Sequence, residues 1–390
     1  MSEATATTDA DQTIPFHFKG NGSEYFKIWI VNLCLTIITL GIYSAWAKVR
    51  RNRYFYGNTS LDGNSFDYLA NPVSILKGRL IAFACFSLYT FLPNFMAWAK
   101  VGPIKVFIAQ GALFIALMIA LPWFIVRSLT FRARNTAYRN IRLNFKGSYL
   151  DALLNYALLP IVFVMATFGL TYLAMQDRAF ATQLGAYILI MMAIMMVIYP
   201  YFLFRQKRMV VTGSKFGTSP FGFAVTTGAY YKAFGLLLLA SIGLVLLLAI
   251  LSGLVGAAFY VLGVKLTGSP FLYVVIGYLI AIVFYTFLFA FYNAYVGNIT
   301  VNGIGIDGHK LQSDLSVFRL LWIYATNLLG IIFTLGLYIP WAMVRTVKYR
   351  ADHVRLQPAG PLDQFVSAQQ SRIGAAGEEL GEMFDFDISL

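Results

Sequence analysis

The chain has 390 residues, of which 59% are hydrophobic and only 12% are charged. Soluble domains carry about 25% charged residues, so this composition excludes an ordinary soluble enzyme. The 30 Lys and Arg residues outnumber the 17 Asp and Glu residues. They flank apolar stretches and form no separate basic domain, which is typical of membrane insertion. We therefore expect contact with membrane lipids and no nucleic-acid partner.

Long apolar runs without any charged residue make up most of the chain. A helix needs about 20 apolar residues to cross the hydrocarbon core. Two long runs have polar breaks, at Ile28–Trp46 and Leu320–Val344. Six uninterrupted runs are long enough to span, namely Leu80–Trp98, Val106–Val126, Ala152–Met175, Leu184–Phe204, Phe234–Leu262 and Phe271–Tyr292. The sequence predicts an α-helical polytopic membrane protein with six full spans and two broken terminal elements.

The two broken elements are copies of one another. Ser23–Arg53 and Ser316–Lys348 share a Trp, an Asn, a Thr-Leu-Gly with a nearby Tyr, and Trp-Ala-x-Val-Arg. The repeat divides the chain into a polar segment at 1–22 with one short strand, a membrane domain at 23–350, and an acidic cytoplasmic tail at 351–390. Because lipid offers no partner to the backbone of a broken helix, we predict that the copies 23–53 and 316–348 pack together.

A second repeat predicts short strands. Asn-x-x-(Leu/Val)-(Asp/Asn) recurs in Asn58–Phe66, Asn140–Gly147 and Asn298–Gly303. Alternating residues bounded by Asn, Asp and Gly are typical of strands and turns. Sheet edges cannot face lipid, so we predict one small cytoplasmic β layer, with Phe16–Gly20 added at an edge. The alternative is a set of independent polar loops with similar turn chemistry.

The distribution of positive charge separates two topologies. If all eight runs cross, a basic segment with Arg345, Lys348, Arg350 and Arg355 lies outside. If both terminal elements re-enter on the side they came from, breaking at Thr39-Leu40-Gly41 and Thr334-Leu335-Gly336, only four of the 30 Lys and Arg residues lie outside. These four are Lys100, Lys105, Arg178 and Lys265. The positive-inside rule favours re-entry with both termini cytoplasmic, and tilted full spans are the alternative.

Several motifs resemble the YjgN family of bacterial inner-membrane proteins, a family of unknown function. They include Tyr25-Phe26-Lys27-Ile28-Trp29, the run Thr39–Arg50, and the acidic Phe384-Asp385-Phe386-Asp387 near the C-terminus. The resemblance covers nearly the whole chain. It implies a multi-pass protein of the bacterial cytoplasmic membrane, and it carries over no activity and no catalytic residue.

The sequence contains no recognisable catalytic centre. It lacks a phosphate-binding Gly-x-x-x-x-Gly-Lys-(Ser/Thr) loop, a His-Glu-x-x-His motif and a Gly-x-Ser-x-Gly elbow. We expect no enzyme, no cofactor and no metal. The polar residues inside the apolar runs are candidates for a polar path, or for ordinary pairing between helices. They are Asn32, Asn327, Asn94, Asn155 and Gln110.

Basic residues at the ends of the runs predict a cytoplasmic face that meets anionic lipid headgroups. They are Arg50, Arg51, Arg53, Arg132, Arg134, Arg345 and Lys348. The acidic segment 378–390 is interpreted either as a solvated tail or as a docking segment for this face or for a cytoplasmic partner. The oligomeric state is not indicated.

Two functions fit these patterns: passive or weakly selective passage of a small solute, and a scaffold or lipid-interacting role. A continuous polar cavity would favour passage. A filled core with a lipid-sized lateral groove would favour the lipid role.

The charge distribution makes a testable prediction. A reporter that fluoresces only in the cytoplasm should glow when fused before Met1 and when fused after Leu390, because both termini are expected inside. A reporter active only in the periplasm should be inactive at both sites. Periplasmic activity at both fusions would contradict the predicted topology.

Overall fold

The computed structural model describes residues 13–261 and 270–385. Within them, six helices are long and apolar enough to cross a membrane. This confirms the predicted polytopic α-helical class. Eleven short strands are interspersed with the helices in the described part of the chain.

The first ten helices come in pairs, and each pair forms a helical hairpin. Hairpin I is α1 (Gly22–Ile38) and α2 (Ser44–Gly57), and hairpin II is α3 (Pro72–Trp98) and α4 (Pro103–Arg134). Hairpin III is α5 (Tyr149–Gln176, with a π-helical turn at Leu153–Ala157) and α6 (Arg178–Gly213). Hairpin IV is α7 (Thr227–Val261) and α8, which begins at Pro270 and ends at Asn302 after a π-helical turn at Tyr292–Val296. Hairpin V is α9 (Val317–Phe333) and α10 (Ile339–Asp352), and α11 (Leu362–Asp385) follows.

The strands form one sheet. They are β1 (Ile14–Phe18), β2 (Thr59–Leu61), β3 (Asn64–Tyr68), β4 (Thr136–Tyr138), β5 (Ile141–Phe145), β6 (Ser214–Phe216), β7 (Ser219–Pro220), β8 (Gly222–Phe223), β9 (Ile304–Ile306), β10 (His309–Ser313) and β11 (Val354–Gln357). Their spatial order is β7-β6-β5-β4-β3-β2-β1-β11-β10-β9-β8. The two end strands, β7 and β8, are separated in the chain only by Phe221, so the sheet must curl until its ends meet. It is a nearly closed barrel.

Each helical hairpin leaves the barrel from one strand and returns to the neighbouring strand. The flanking pairs β1–β2, β3–β4, β5–β6, β8–β9 and β10–β11 are all antiparallel. The hairpins therefore follow one another around the barrel in the order I, II, III, IV, V. Packing agrees with this order, since α2 packs on α3, α4 on α5, α6 on α7, α8 on α9, and α10 on α1. Ten helices thus form a ring above one end of the barrel.

The two terminal hairpins break at the predicted Thr-Leu-Gly sites. Leu40 and Gly41 have φ angles of 48° and 91°, and Leu335 and Gly336 have 51° and 93°. Glycine adopts this left-handed region readily, whereas leucine is strained there. In both hairpins the threonine hydroxyl, for example that of Thr39, accepts a backbone N–H four residues later at 2.9 Å. The chain therefore turns back within each run and does not continue as one helix.

The copies also match at their barrel ends. The N–H of Asn21 donates to the Tyr54 hydroxyl at 2.7 Å, and the N–H of Ser316 donates to the Tyr349 hydroxyl at 3.0 Å. Both bonds join residues 33 positions apart. Each terminal hairpin consequently begins and ends at the same level of the structure.

The predicted contact between the terminal copies is confirmed. The rings of Phe26 and Trp341 lie 5.0 Å apart, and the Tyr25 hydroxyl donates to the Met343 sulfur at 3.8 Å. Gly22 lies so close to Trp341 that an added Cβ would be 2.3 Å from its Cδ1. Hairpins I and V therefore join the start of the helix ring to its end.

Two details of the predicted β layer are wrong. Phe16–Gly20 was expected at an edge, but β1 lies inside the sheet between β2 and β11. Asn298–Gly303 was expected to be a strand, but its residues to Asn302 are helical and the strand β9 follows. The reason is that Asn298 ties the helix to the end of β10: its Oδ1 accepts from the Leu315 N–H at 3.0 Å. Asn58–Phe66 and Asn140–Gly147 do supply strands of the same sheet.

The terminal contact makes a testable prediction. Gly22→Ala should lower the free energy of unfolding by about 1–3 kcal/mol, because its methyl group must displace Trp341 and loosen hairpins I and V. Gly78→Ala is the matched control, since nothing lies within 4 Å of an added Cβ there. Thermal unfolding in detergent should show a lower midpoint for Gly22→Ala only. Equal midpoints for both variants would contradict the packing.

Candidate functional site: a capped barrel and a lateral groove

The inside of the barrel is filled by apolar side chains. Alternate residues of the strands point inward and pack into one cluster with the first turns of α11, leaving a cavity of about 220 Å³. The buried members of this cluster are Leu61, Tyr138, Ile141, Phe216, Leu356, Leu362 and Val366. Helix α11 thus contributes to the core of the barrel.

Helix α11 covers the end of the barrel that faces away from the helix ring. It contacts the β turns there: Asp363 pairs with Arg139 in the β4–β5 turn, and the buried Gln369 accepts from the Thr218 N–H at 3.1 Å in the β6–β7 turn. Arg139 also binds Asp62 in the β2–β3 turn at 2.6 Å. We call α11 in this position the cap.

His309 connects the cap to the β9–β10 hairpin. It is 4% exposed, its ring centroid lies 4.8 Å from that of Phe365 with the two rings tilted by 58°, and its Nδ1 accepts from the Ala359 N–H at 3.0 Å. Burial lowers the pKa of His309 below its ordinary value of 6.5, and the nearby Asp307 carboxylate opposes this in part. An accepting Nδ1 requires the neutral ring, and the lowered pKa favours that form.

Part of the segment 351–390 therefore folds as a component of the barrel. Residues Val354–Gln357 form β11 inside the sheet, and the helix from Leu362 forms the cap. The predicted docking segment 378–390 lies outside the residues whose side chains the structure describes. The cap contacts Arg139 through Asp363, and docking of the acidic segment 378–390 on the basic face stays a prediction.

The structure distributes the predicted polar residues over separate helices. Asn32, Asn94, Gln110, Asn155 and Asn327 lie on five different helices, and no hydrogen bond between described residues joins any two of them. Asn94 is exposed and donates to the carbonyl of Thr90 in its own helix at 3.4 Å. Asn32 and Asn155 are buried, and their Oδ1 atoms have no partner among the described residues.

Asn327 makes no hydrogen bond to the other terminal copy among the described residues. The Asn327 amide donates to the carbonyl of Ala342 at 3.2 Å, and its Oδ1 accepts from Arg345 at 3.3 Å, so its partners all lie in hairpin V. The contact between the copies is made instead by the aromatic residues near their barrel ends.

The predicted basic residues lie toward the barrel ends of α2, α4 and α10. Arg50 lies over the ring of Tyr43 at 5.7 Å, and Arg53 donates to the carbonyl of Tyr68 at 3.4 Å. The exposed ones are Arg50, Arg51, Arg53, Arg132, Arg134 and Lys348. They border the barrel at the level where helices pass into strands.

An apolar groove of about 710 Å³ opens sideways between α8, α9 and α10. Tyr285 and Phe289 on its rim are 67% and 57% exposed. The remaining lining residues are Thr286, Tyr324, Asn327, Leu328, Ile331, Ile339, Ala342, Met343, Thr346 and Val347. Pockets that hold small molecules have volumes of about 300–1,000 Å³, so this groove has room for a ligand.

The Arg350 guanidinium lies at the barrel end of the groove, whereas Arg345 lies farther from the barrel on α10. Arg350 donates to the hydroxyl of Tyr324 at 2.8 Å and to Oδ1 of Asn293 at 2.7 Å, and its Nε is buried without a partner among the described residues. Arg345 donates to the Thr326 hydroxyl at 2.8 Å. These acceptors are neutral, so the groove is apolar along its length and positively charged at one end.

Sequence analysis missed both the cap and the groove. The spacing of Leu362, Val366 and Gln369 is that of one helix face, and this signal could have revealed an amphipathic helix before the acidic residues begin. The groove had no such signal, because its residues come from three helices and resemble other apolar membrane residues.

Comparison with known proteins fits the architecture. A family model described as a bacterial protein of unknown function, DUF898, matches residues 13–383. The chain belongs to the DUF898 family. The inner membrane protein YjgN of Salmonella typhimurium is 30% identical over 157 residues, which cover 40% of this chain and 37% of that protein. YjgN of Escherichia coli K12 is 30% identical over 141 residues, covering 35% and 33%. No solved structure matches.

This DUF898 protein is thus a multi-pass inner-membrane protein of a family with unknown function. The match spans about a third of the length of the curated relatives. Their name states a location and no activity, so the function must be argued from the geometry.

The His309 contact predicts a pH-dependent cap. The lowered pKa means that His309 binds a proton more tightly when the cap is released than when the cap is docked. Docking is therefore fully favoured above about pH 6.5 and weakens as the pH falls through that value toward the lowered pKa. Tryptic cleavage at Arg372 should accelerate upon acidification relative to His309→Asn, whose amide oxygen accepts the same N–H and does not titrate. If the ratio of the two cleavage rates does not change with pH, the result would contradict this role of His309.

Proposed function

We propose that this protein binds membrane lipid, with an acyl chain in the groove between α8, α9 and α10. The groove supports this role because it is apolar, opens laterally and has Arg350 at one end. An anionic or zwitterionic phospholipid has the same polarity pattern, with a long apolar part next to a charged head. Binding would bury apolar surface and bring the phosphate to a cation.

The arrangement of the helices supports the same proposal. In each of the six helices long enough to span, only 0% to 22% of the residues in the most apolar stretch are buried by the rest of the chain. A single ring of helices exposes apolar side chains on both its outer and its inner side. Such surfaces suit acyl chains better than hydrated solutes.

We further propose the disposition in the membrane. Hairpins II, III and IV supply the six spans, and the barrel with its basic border lies in the cytoplasm. Hairpins I and V enter and return from the barrel side. In support, α1 and α9 have 17 residues each, about 26 Å at 1.5 Å per residue, less than the roughly 30 Å of the hydrocarbon core.

Passage of a small solute is the second candidate, because the barrel and the helix ring follow one another and the cap closes the far end of the barrel. A polar solute would need a polar lining, whereas the described residues inside the barrel are mostly apolar. Passage would therefore require release of the cap and rearrangement of its core. Lipid binding requires neither change.

Adjacent leucines on α9 offer a test of the groove. Leu328 lines it and is half-buried, whereas Leu329 is 53% exposed and lies outside the lining. Leu328→Trp should fill the groove and reduce co-purified phospholipid, measured by mass spectrometry of the intact protein released from detergent. Leu329→Trp makes the same chemical change on the exposed side and should retain lipid as the unaltered protein does.

Comparing Leu328→Trp with Leu329→Trp distinguishes a lipid bound in the groove from lipid that associates with the surface in general. Equal retention by both variants, at matched thermal stability, would contradict an acyl site in this groove. Loss by Leu328→Trp alone, with unchanged thermal unfolding, would support it.

A further inference from the structure

A second cationic region lies in hairpins I and II, apart from the groove. On α2, Ser44, Lys48 and Arg51 follow one another at spacings of four and three residues, which places them on one face of the helix. Lys48 is half-buried, whereas Arg51 is exposed. This face is directed toward hairpin II, as the contacts of its first residue show.

Helices α3 and α4 bring two more cations to this face. The Arg79 guanidinium on α3 donates a short hydrogen bond to the Ser44 hydroxyl. Arg132 is near the end of α4 and follows Phe131, which packs against a cluster formed by α2 and α3. The buried members of that cluster are Ala45, Val49, Tyr68, Ala70 and Ile75. Well-packed apolar residues therefore hold these helices together.

The electrostatics of this region are unbalanced. Burial lowers the pKa of Lys48, and the positive charges of Arg79, Arg132 and Arg51 lower it further. The ion pairs among the described residues involve only Arg139 and Arg355 as cations. None of these four cations thus has a carboxylate partner there. Like charges held together in this way favour binding of an anion that neutralises them.

The other terminal copy, hairpin V, lacks this basic face. The residues that correspond to Ser44, Lys48 and Arg51 in hairpin V are Ile339, Met343 and Thr346, and all three line the apolar groove. The copies keep the same Trp, Asn and Thr-Leu-Gly residues while this one face differs. The basic face is therefore dispensable for forming the hairpin.

We propose that Lys48, Arg51, Arg79 and Arg132 form a binding site for a phosphate group. Several donors converging from three helices suit the tetrahedral oxygens of phosphate, and charge-assisted hydrogen bonds make such contacts strong. The phosphate can belong to a lipid headgroup or be free in solution. The site is separate from the acyl groove and does not depend on it.

The test uses the full chain in nanodiscs and the variant Lys48→Met, which installs the residue of hairpin V at the same position. Arg142→Gln is the control, since it removes one charge at an exposed position of β5, outside both the proposed site and the basic border. One arm titrates inorganic phosphate into protein in phosphatidylcholine nanodiscs by calorimetry. The other measures retention of phosphatidylglycerol over phosphatidylcholine by mass spectrometry.

We expect Lys48→Met to weaken phosphate binding or phosphatidylglycerol preference by about tenfold, and Arg142→Gln to change it by less than about twofold, because only Lys48→Met removes a charge-assisted contact. Binding in the first arm identifies free phosphate, and binding only in the second identifies a headgroup. If Lys48→Met does not fold, Arg132→Gln, at an exposed position, carries the same expectation. Absence of binding in both arms, or equal losses in variant and control, would overturn the proposal. Leu328→Trp leaves these four cations intact. The test of the acyl groove and the test of the phosphate site can therefore give different outcomes.

Discussion

The pairing of β1 with β11 is the interaction on which the rest of the structure depends. It joins Ile14 near one end of the described chain to Leu356 near the other. With β7 and β8 adjacent in sequence, this pairing leaves the sheet only one arrangement, a nearly closed barrel. Near closure leaves only the two-residue strands β7 and β8 as edges of the described sheet, and short edge strands limit unwanted pairing with other chains. It also fixes the order of the five helical hairpins, because each hairpin must connect neighbouring strands.

The barrel explains how the membrane helices can pack so loosely. Their cores are small, yet their ends are held by the strands of the barrel and by aromatic contacts such as Phe26–Trp341. The membrane part therefore does not need a dense centre of its own. In the proposed function, the resulting apolar surfaces and the lateral groove bind lipid, and in the proposed disposition the basic border of the barrel lies at the level of the headgroups.

Much of this architecture could be predicted from local sequence signals. Span length and charge located the six long helices, and Thr39-Leu40-Gly41 marked a true reversal because Gly41 needs a positive φ. The order of the strands could not be predicted, since it depends on pairings between distant residues such as Pro15 and Arg355. The repeated Asn was misleading because it serves a helix at Asn298 and a turn at Asn140. Of the four cations proposed to bind phosphate, Arg51 and Arg132 were predicted on the basic face, whereas Lys48 and Arg79 were not, because their approach depends on the packing of distant helices.

Disulfide formation between β1 and β11 tests barrel closure most directly. In a background without Cys34 and Cys85, cysteines replacing Pro15 and Arg355 occupy directly opposed positions. The pair Asp67 and Arg355 is the control, because β2 and β1 lie between β3 and β11. Mild oxidation in membranes should join the first pair rapidly and leave the control pair open. Failure of the first pair, or equal crosslinking of both, would contradict the closed barrel and the hairpin order derived from it.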